Sequence, residues 1–167
     1  MISGLGMSGR YRVECIDKQG CLKWVSIIEN TIVNVGLQHI LDVVFTGSPS
    51  ADSSWYVGLA YSGLSQAAAD TLASHAGWTE CAAGTVYTQA NRVEWTEART
   101  DQKLSNSSNK ATFSIDTDAT LGGAFLANTN AGTAGVLMSV GPFSGGAQAV
   151  TVGDTVNVTL ELSAASV

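Results

Sequence analysis

A chain of 167 residues, 45% of them apolar, fits one domain and is long enough to bury a core. Only 13% of the residues are charged, so the polar surface is built mainly from Ser, Thr, Asn and Gln. The net charge of −6 repels a phosphate backbone and argues against nucleic acid as a partner, and no apolar run approaches the ~20 residues of a membrane-spanning helix. Eighteen glycines against two prolines, with Val and Thr recurring in the second half, predict a β-rich chain with many tight turns.

Residues 1–9 are rich in Gly and Ser and are expected to form a flexible N-terminal arm, leaving 10–167 as a single β-rich domain. The opening MISGLGMSGRYRVE lacks the apolar core of a secretory signal, so synthesis in the cytoplasm without export is expected. From Arg10 to Ile16, Tyr11, Val13 and Cys15 share one face and Arg10, Arg12 and Glu14 the other. Asp17-Lys18-Gln19-Gly20 supplies a turn, and Leu22–Ile28 returns as a second strand carrying Trp24. Asn34 is placed to cap a helix near residues 34–46. There Leu37, Ile40, Leu41, Val44 and Phe45 fall on one apolar stripe, which predicts a helix plugging one end or face of a sandwich. Gly47 closes that helix and Pro49 prevents its resumption.

Ser54–Ser62 alternates Trp55, Val57, Leu59 and Tyr61, which predicts a strand with one buried face. Asp70 could cap a short helical turn within Gln66–His75. A strand is expected at Val86–Trp95, interrupted at Asn91 and Arg92, followed by a polar loop over 97–109. Further strands are expected at Lys110–Asp116, Gly123–Ala127, Val136–Val140 and Thr155–Leu162, the last preceded by a turn at Val152-Gly153-Asp154. About eight short strands with Gly- and Ser-rich turns, no repeat and no βαβ alternation predict a mainly β fold, an antiparallel β-sandwich or jelly roll with one short helix.

No catalytic, cofactor-binding or metal site assembles from the sequence. The odd count of cysteines, Cys15, Cys21 and Cys81, argues against a disulfide scaffold, and no His cluster accompanies them to make a zinc site. Reduced cysteines are expected, with Cys15 and Cys21 near one another across their turn. His75, with Asp70 before it and Glu80 after it, could serve as a general base, but Ser74 does not sit on a nucleophile elbow. A histidine whose nitrogens satisfy a turn is the simpler expectation, and His39 is expected to face solvent or an interface. Glu94, Glu97 and Asp101 around Trp95 raise glycoside hydrolysis, yet neighbouring strand residues point to opposite faces. Solvated edge charges explain them better. Asp116 and Asp118 are too few for a calcium loop, and GLGMSG lacks the rest of a phosphate loop. Trp24, Trp55, Tyr56, Trp78, Tyr87 and Trp95 could include a sugar-stacking platform, although core and interface packing is the ordinary role of such rings.

Several phrases taken in order carry a resemblance: NTIVNVGLQHILDVVFTG, SWYVGLA, AADTLASHAGWTE, GGAFL and AVTVGDTVNVTLELS. Together they resemble a family of small tailed-bacteriophage virion proteins, found among head decoration (cement) and tail-accessory proteins, over roughly residues 28–163. The resemblance implies a β-rich structural protein without catalytic residues. It implies a capsid decoration role on the virion surface, with the major capsid protein and further copies of the chain as partners. Nucleic acid, membrane and cofactor are not among them. A tail or head–tail accessory role is the alternative, and a carbohydrate-binding module a further one.

Overall fold

Alternation along the two longest strands builds the first sheet. In β1 (Leu5–Ile16), Tyr11, Val13 and Cys15 are fully buried while Arg10 and Arg12 face solvent. In β12 (Thr155–Ser166), Val156, Val158, Leu160 and Leu162 point to the same core. The computed structural model describes residues 4–166. Between these strands lie β2 (Leu22–Glu29), β3 (Thr31–Ile32), helix α1 (Asn34–Leu41), β4 (Tyr56–Tyr61), β5 (Val93–Glu94) and β6 (Ala98–Thr100). They are followed by β7 (Lys103–Ser105), β8 (Ala111–Ser114), β9 (Ala119–Ala127), β10 (Leu137–Pro142) and β11 (Gln148–Val150). Sheet A runs β2-β1-β12-β7-β6, with β8 also on β12; sheet B runs β3-β10-β9-β4-β5, with β11 also on β9. Every pairing between these strands is antiparallel, and the two sheets enclose the core as a β-sandwich. Hydrogen bonds tie the sheets directly, Tyr11 Oη with Ser139 Oγ at 2.8 Å and the Trp24 indole N–H to the Ala149 carbonyl at 3.1 Å.

The Asp17 turn forms as its residues require. Asp17 Oδ1 accepts the N–H groups of Gln19 and Cys21, and Gly20 takes the left-handed φ of 85°. All three cysteines are free; Cys15 and Cys81 are buried and Cys21 is exposed. The turn at Val152–Asp154 is also as expected, with Asp154 buried beneath it.

Several expectations are corrected. Residues Leu5–Gly9 belong to β1, in register with Leu162–Ser166, because β12 extends far enough to pair with them; residues 1–3 of the expected arm lie outside the described residues. The strand near 54–62 is buried on both faces, since Gly58 and Ala60 pack under a second apolar cluster with Phe125 on the far side of sheet B. Residues Gln66–His75 form turns without a helix, because the Asp70 carboxylate accepts from Ala67 N–H and from the Trp78 indole. Of the strand expected at 86–95 only Val93–Glu94 forms: the chain turns at Ala82–Val86, and Arg92 is drawn into an ion pair with Glu80. The polar stretch 97–109 holds the β6–β7 hairpin, turned at Asp101 with φ 53°. It also holds the fully buried Asn106, which accepts from Leu160 N–H and donates to the Val158 carbonyl where β7 and β8 part on β12.

The helix near 34–46 is present as α1 continued by a π turn over Asp42–Thr46, and Gly47 ends it with φ 67°. Its cap is corrected: Val33 is the N-cap residue, no side chain caps the helix, and Asn34 is already its first residue. Its orientation is corrected too. The buried helical residues are Gly36 and His39, and Ile40 of the expected stripe is half-buried against the core, whereas Leu37, Leu41, Val44 and Phe45 are exposed at 40, 54, 64 and 79%. Gly36 explains the rotation: a Cβ there would lie 2.7 Å from the Met138 carbonyl oxygen, so glycine lets the helix backbone rest on β10.

Candidate functional site

The outward-turned stripe sits beside an opening in the sandwich. Where α1 and its π turn cross the end of the sheets, a slot of about 280 Å³ runs inward. Its walls include Met7 and Leu162 of sheet A, Leu126 and Met138 of sheet B, Trp55, and Val43 of the π turn. Val44 belongs both to the slot wall and to the exposed stripe. The corner therefore joins an exposed apolar ridge to an apolar recess.

A polar network fixes this corner from behind. His39 is only 8% exposed, which corrects the first of its two expected surroundings, solvent or an interface. Its Nε2 lies 2.5 Å from Asp52 Oδ2, and its ring meets Trp55 edge to face at 5.7 Å. Asn128 Nδ2 donates to Asp52 Oδ1 at 3.0 Å, and Asn128 Oδ1 accepts from Val136 N–H. The loop behind the helix and the β9–β10 connection are thus tied to α1. Asp42 on the π turn and Glu97 at the slot rim have no Lys, Arg or His within ion-pair distance among the described residues. Sequence reading picked out the stripe as apolar but turned it inward; Gly36 facing β10 was the signal that could have reversed it.

The residues weighed as catalytic are dispersed among structural roles. His75 Nδ1 lies 3.0 Å from the Trp78 carbonyl, and its ring stacks on that indole at 3.9 Å. Glu80 grips Arg92 through two bonds of 2.7 and 2.8 Å instead of meeting His75. Arg92 in turn donates to the carbonyls of Thr129 and Gly132 and lies 5.1 Å above the Phe125 ring. Ser74 is exposed, its N–H bonded to Thr71. Glu94 is exposed and accepts from Ser54, whereas its neighbour Trp95 is buried with its indole N–H directed at the Leu160 carbonyl. Asp116 and Asp118 are exposed turn residues, the latter accepting from Val152 N–H. GLGMSG is mostly strand β1. No group of three or more metal-ligating side chains occurs among the described residues.

The aromatic rings likewise divide. Trp78, Tyr87 and Trp95 are core residues, Trp24 packs on Phe143 with its indole bonded to the Ala149 carbonyl, and Tyr56 is half-buried in β4. Trp55 alone of the tryptophans contributes a half-buried ring to the slot mouth.

Two further features bear on electrostatics. A groove of about 590 Å³ crosses the outer face of sheet A, but its cations Arg10, Arg12 and Lys103 are engaged by Glu29, Glu14 and Glu161. At the far end of β12, the buried Asp154 would have its carboxyl raised by burial. Lys23 at 2.6 Å and the Thr151 N–H outweigh that and hold it below its ordinary value. Burial pushes the Cys15 and Cys81 thiols up to about 12.

No protein-family model matches the chain, and no curated protein matches it.

Proposed function

We propose that the protein is a structural component of a tailed-bacteriophage virion. It acts, without catalysis, as a capsid decoration protein that reinforces contacts between major capsid subunits. The helical corner is the observation that carries this reading. A sandwich that turns Leu37, Leu41, Val44 and Phe45 outward, with an apolar recess beside them, is suited to burying that surface against another chain of a particle, a further copy included. The phrases resembling the virion family along residues 28–163 supply the setting, and low charge with abundant Ser and Thr suits surfaces covered on assembly.

Quantitative mass spectrometry of purified particles tests the role. Decoration of the lattice requires on the order of hundreds of copies per particle, as icosahedral repetition provides. A count of about six or twelve would place the protein on the tail axis and overturn the decoration role. Purified protein added to capsids that lack it should raise their resistance to heat. Cleavage of a surface polysaccharide by the pure protein, lost in Glu94→Gln or Glu97→Gln, would overturn the non-catalytic reading.

A further inference from the structure

The helical corner carries two complementary shapes side by side. Phe45, 79% exposed, projects from the π turn, and the slot opens next to it with Val44 on its wall. At about 280 Å³ the slot is smaller than most small-molecule sites, which run from roughly 300 to 1,000 Å³, and it suits an inserted side chain better than a cofactor. A projecting ring next to a recess on one face becomes self-complementary under a two-fold axis, because each copy's ring meets the other's recess.

We infer that the occupant of this corner is a second copy of the chain. In the resulting isologous dimer, Phe45 of each protomer enters the slot of the other, and Leu37, Leu41 and Val44 pack around the axis. The exposed fractions of these four side chains amount to roughly 500 Å² per copy, within the range of a functional apolar patch. Complete burial of these side chains in both copies removes at most about 1,000 Å², below the roughly 1,200 Å² of stable specific interfaces, so the dimer is a weak one that forms at micromolar concentration. The polar network of His39, Asp52 and Asn128 fixes the corner before association, so little ordering is required on binding. This dimer uses the surface on which the proposed function rests, but it does not depend on where the assembly resides.

Charge gives the association a signature. Asp42 and Glu97 flank the corner without a cationic partner among the described residues, on a chain of net charge −6. Apolar burial therefore drives dimerisation against like-charge repulsion, and added salt strengthens it. A basic partner on the same surface shows the opposite dependence.

Sedimentation equilibrium of the purified chain over micromolar concentrations, at low salt and at about 0.5 M salt, tests the inference. The expected result is a monomer–dimer equilibrium that tightens with salt, with a blue shift of Trp55 emission on association. Phe45→Ser should weaken the dimer at least about 30-fold, the effect of losing an aromatic anchor. Ala51→Trp, which plugs the exposed lip of the slot, should weaken it from the other side. Both variants should keep the wild-type circular dichroism and, at concentrations where the wild type is monomeric, its melting temperature. A chain that stays monomeric in all conditions overturns the inference, as does a dimer indifferent to both substitutions. Association only with a basic protein, weakened by salt, overturns it too. A dimer of this kind that is missing from virions sinks the virion role alone, and a monomer abundant in virions sinks the dimer alone.

Discussion

Two segments cover parts of sheet B, and they treat their apolar residues in opposite ways. Residues 62–80 turn theirs inward: Leu72 and Trp78 are 1 and 6% exposed and pack with Phe125 over the outer face of β9. Their polar groups are used up locally, with Asp70 bonded to the Trp78 indole and to Ala67 N–H, and His75 stacked on the same indole. Gly77 lets this cover close on itself, since a Cβ there would fall 2.0 Å from the Ser65 carbonyl oxygen. Helix α1 and its π turn rest on β10 through Gly36, with His39 against Asp52 and Trp55, and leave four large apolar side chains outside. The first cover is finished within the chain and the second is not. Density of aromatic and histidine residues therefore identifies the structural cover, whereas the direction of burial identifies the surface with work left to do.

The largest expected effect breaks the finished cover. Trp78→Ala removes an indole from a packed cluster and should cost about 4 kcal/mol of unfolding free energy, read by chemical denaturation. A loss below 1 kcal/mol would mean that this cover is as open as the helical one.

Asp154 provides a sealed polar site remote from both covers. Asp154→Ala leaves the Thr151 N–H without its acceptor and Lys23 to solvent, and should cost about 2 kcal/mol at neutral pH. Because its folded carboxyl lies below the ordinary range, the stability it supplies is complete above about pH 4 and disappears as pH falls through the folded value. Glu14, lowered first by its bond to Lys110, acts with the same sign. A denaturation series from neutral pH to about pH 2 should thus fall steeply for the wild type and less steeply for Asp154→Ala. Identical acid limbs would show that Asp154 is not the linked group.

Asp70→Ala probes the polar half of the finished cover. It leaves the Trp78 indole N–H and the Ala67 N–H without their acceptor and should cost about 2 kcal/mol. Phe45→Ser should give the smallest change, within about 0.5 kcal/mol for the monomer, because an exposed ring contributes little to its own fold. A monomer destabilised by more than 2 kcal/mol would show that the corner is packed in solution and erase the contrast.

The fold class was legible because β1 from Arg10 onward and β12 up to Leu162 alternate, and because the Asp17 and Gly153 turns carry their own chemistry. Length was legible less often: β9 begins at Ala119 and not at Gly123, and the three-residue β11 and two-residue β3 give no periodicity to read. Buried polar residues were harder still. Arg92 and Asn106 look like loop residues, yet each is buried among partners from distant segments, Arg92 at the Thr129 and Gly132 carbonyls and Asn106 between the Val158 carbonyl and the Leu160 N–H, a relation that no local pattern carries. The candidate site was half legible. Its residues were recognised as one apolar stripe, but a stripe reports only that a face is apolar and leaves open whether the chain itself covers it.

The cysteines give the folded chain a chemical asymmetry. Cys21 stands exposed at a hairpin turn, while Cys15 and Cys81 are fully buried with thiols held up to about 12, so little thiolate forms in the folded state. A maleimide dye at neutral pH should therefore react once per native molecule and reach the other two sulfurs only after denaturation. Stoichiometric tagging becomes available on the unmodified sequence, at a turn well outside the residues that form the helical corner, so labelled copies can be counted by single-molecule photobleaching without touching the surface whose occupancy is being measured.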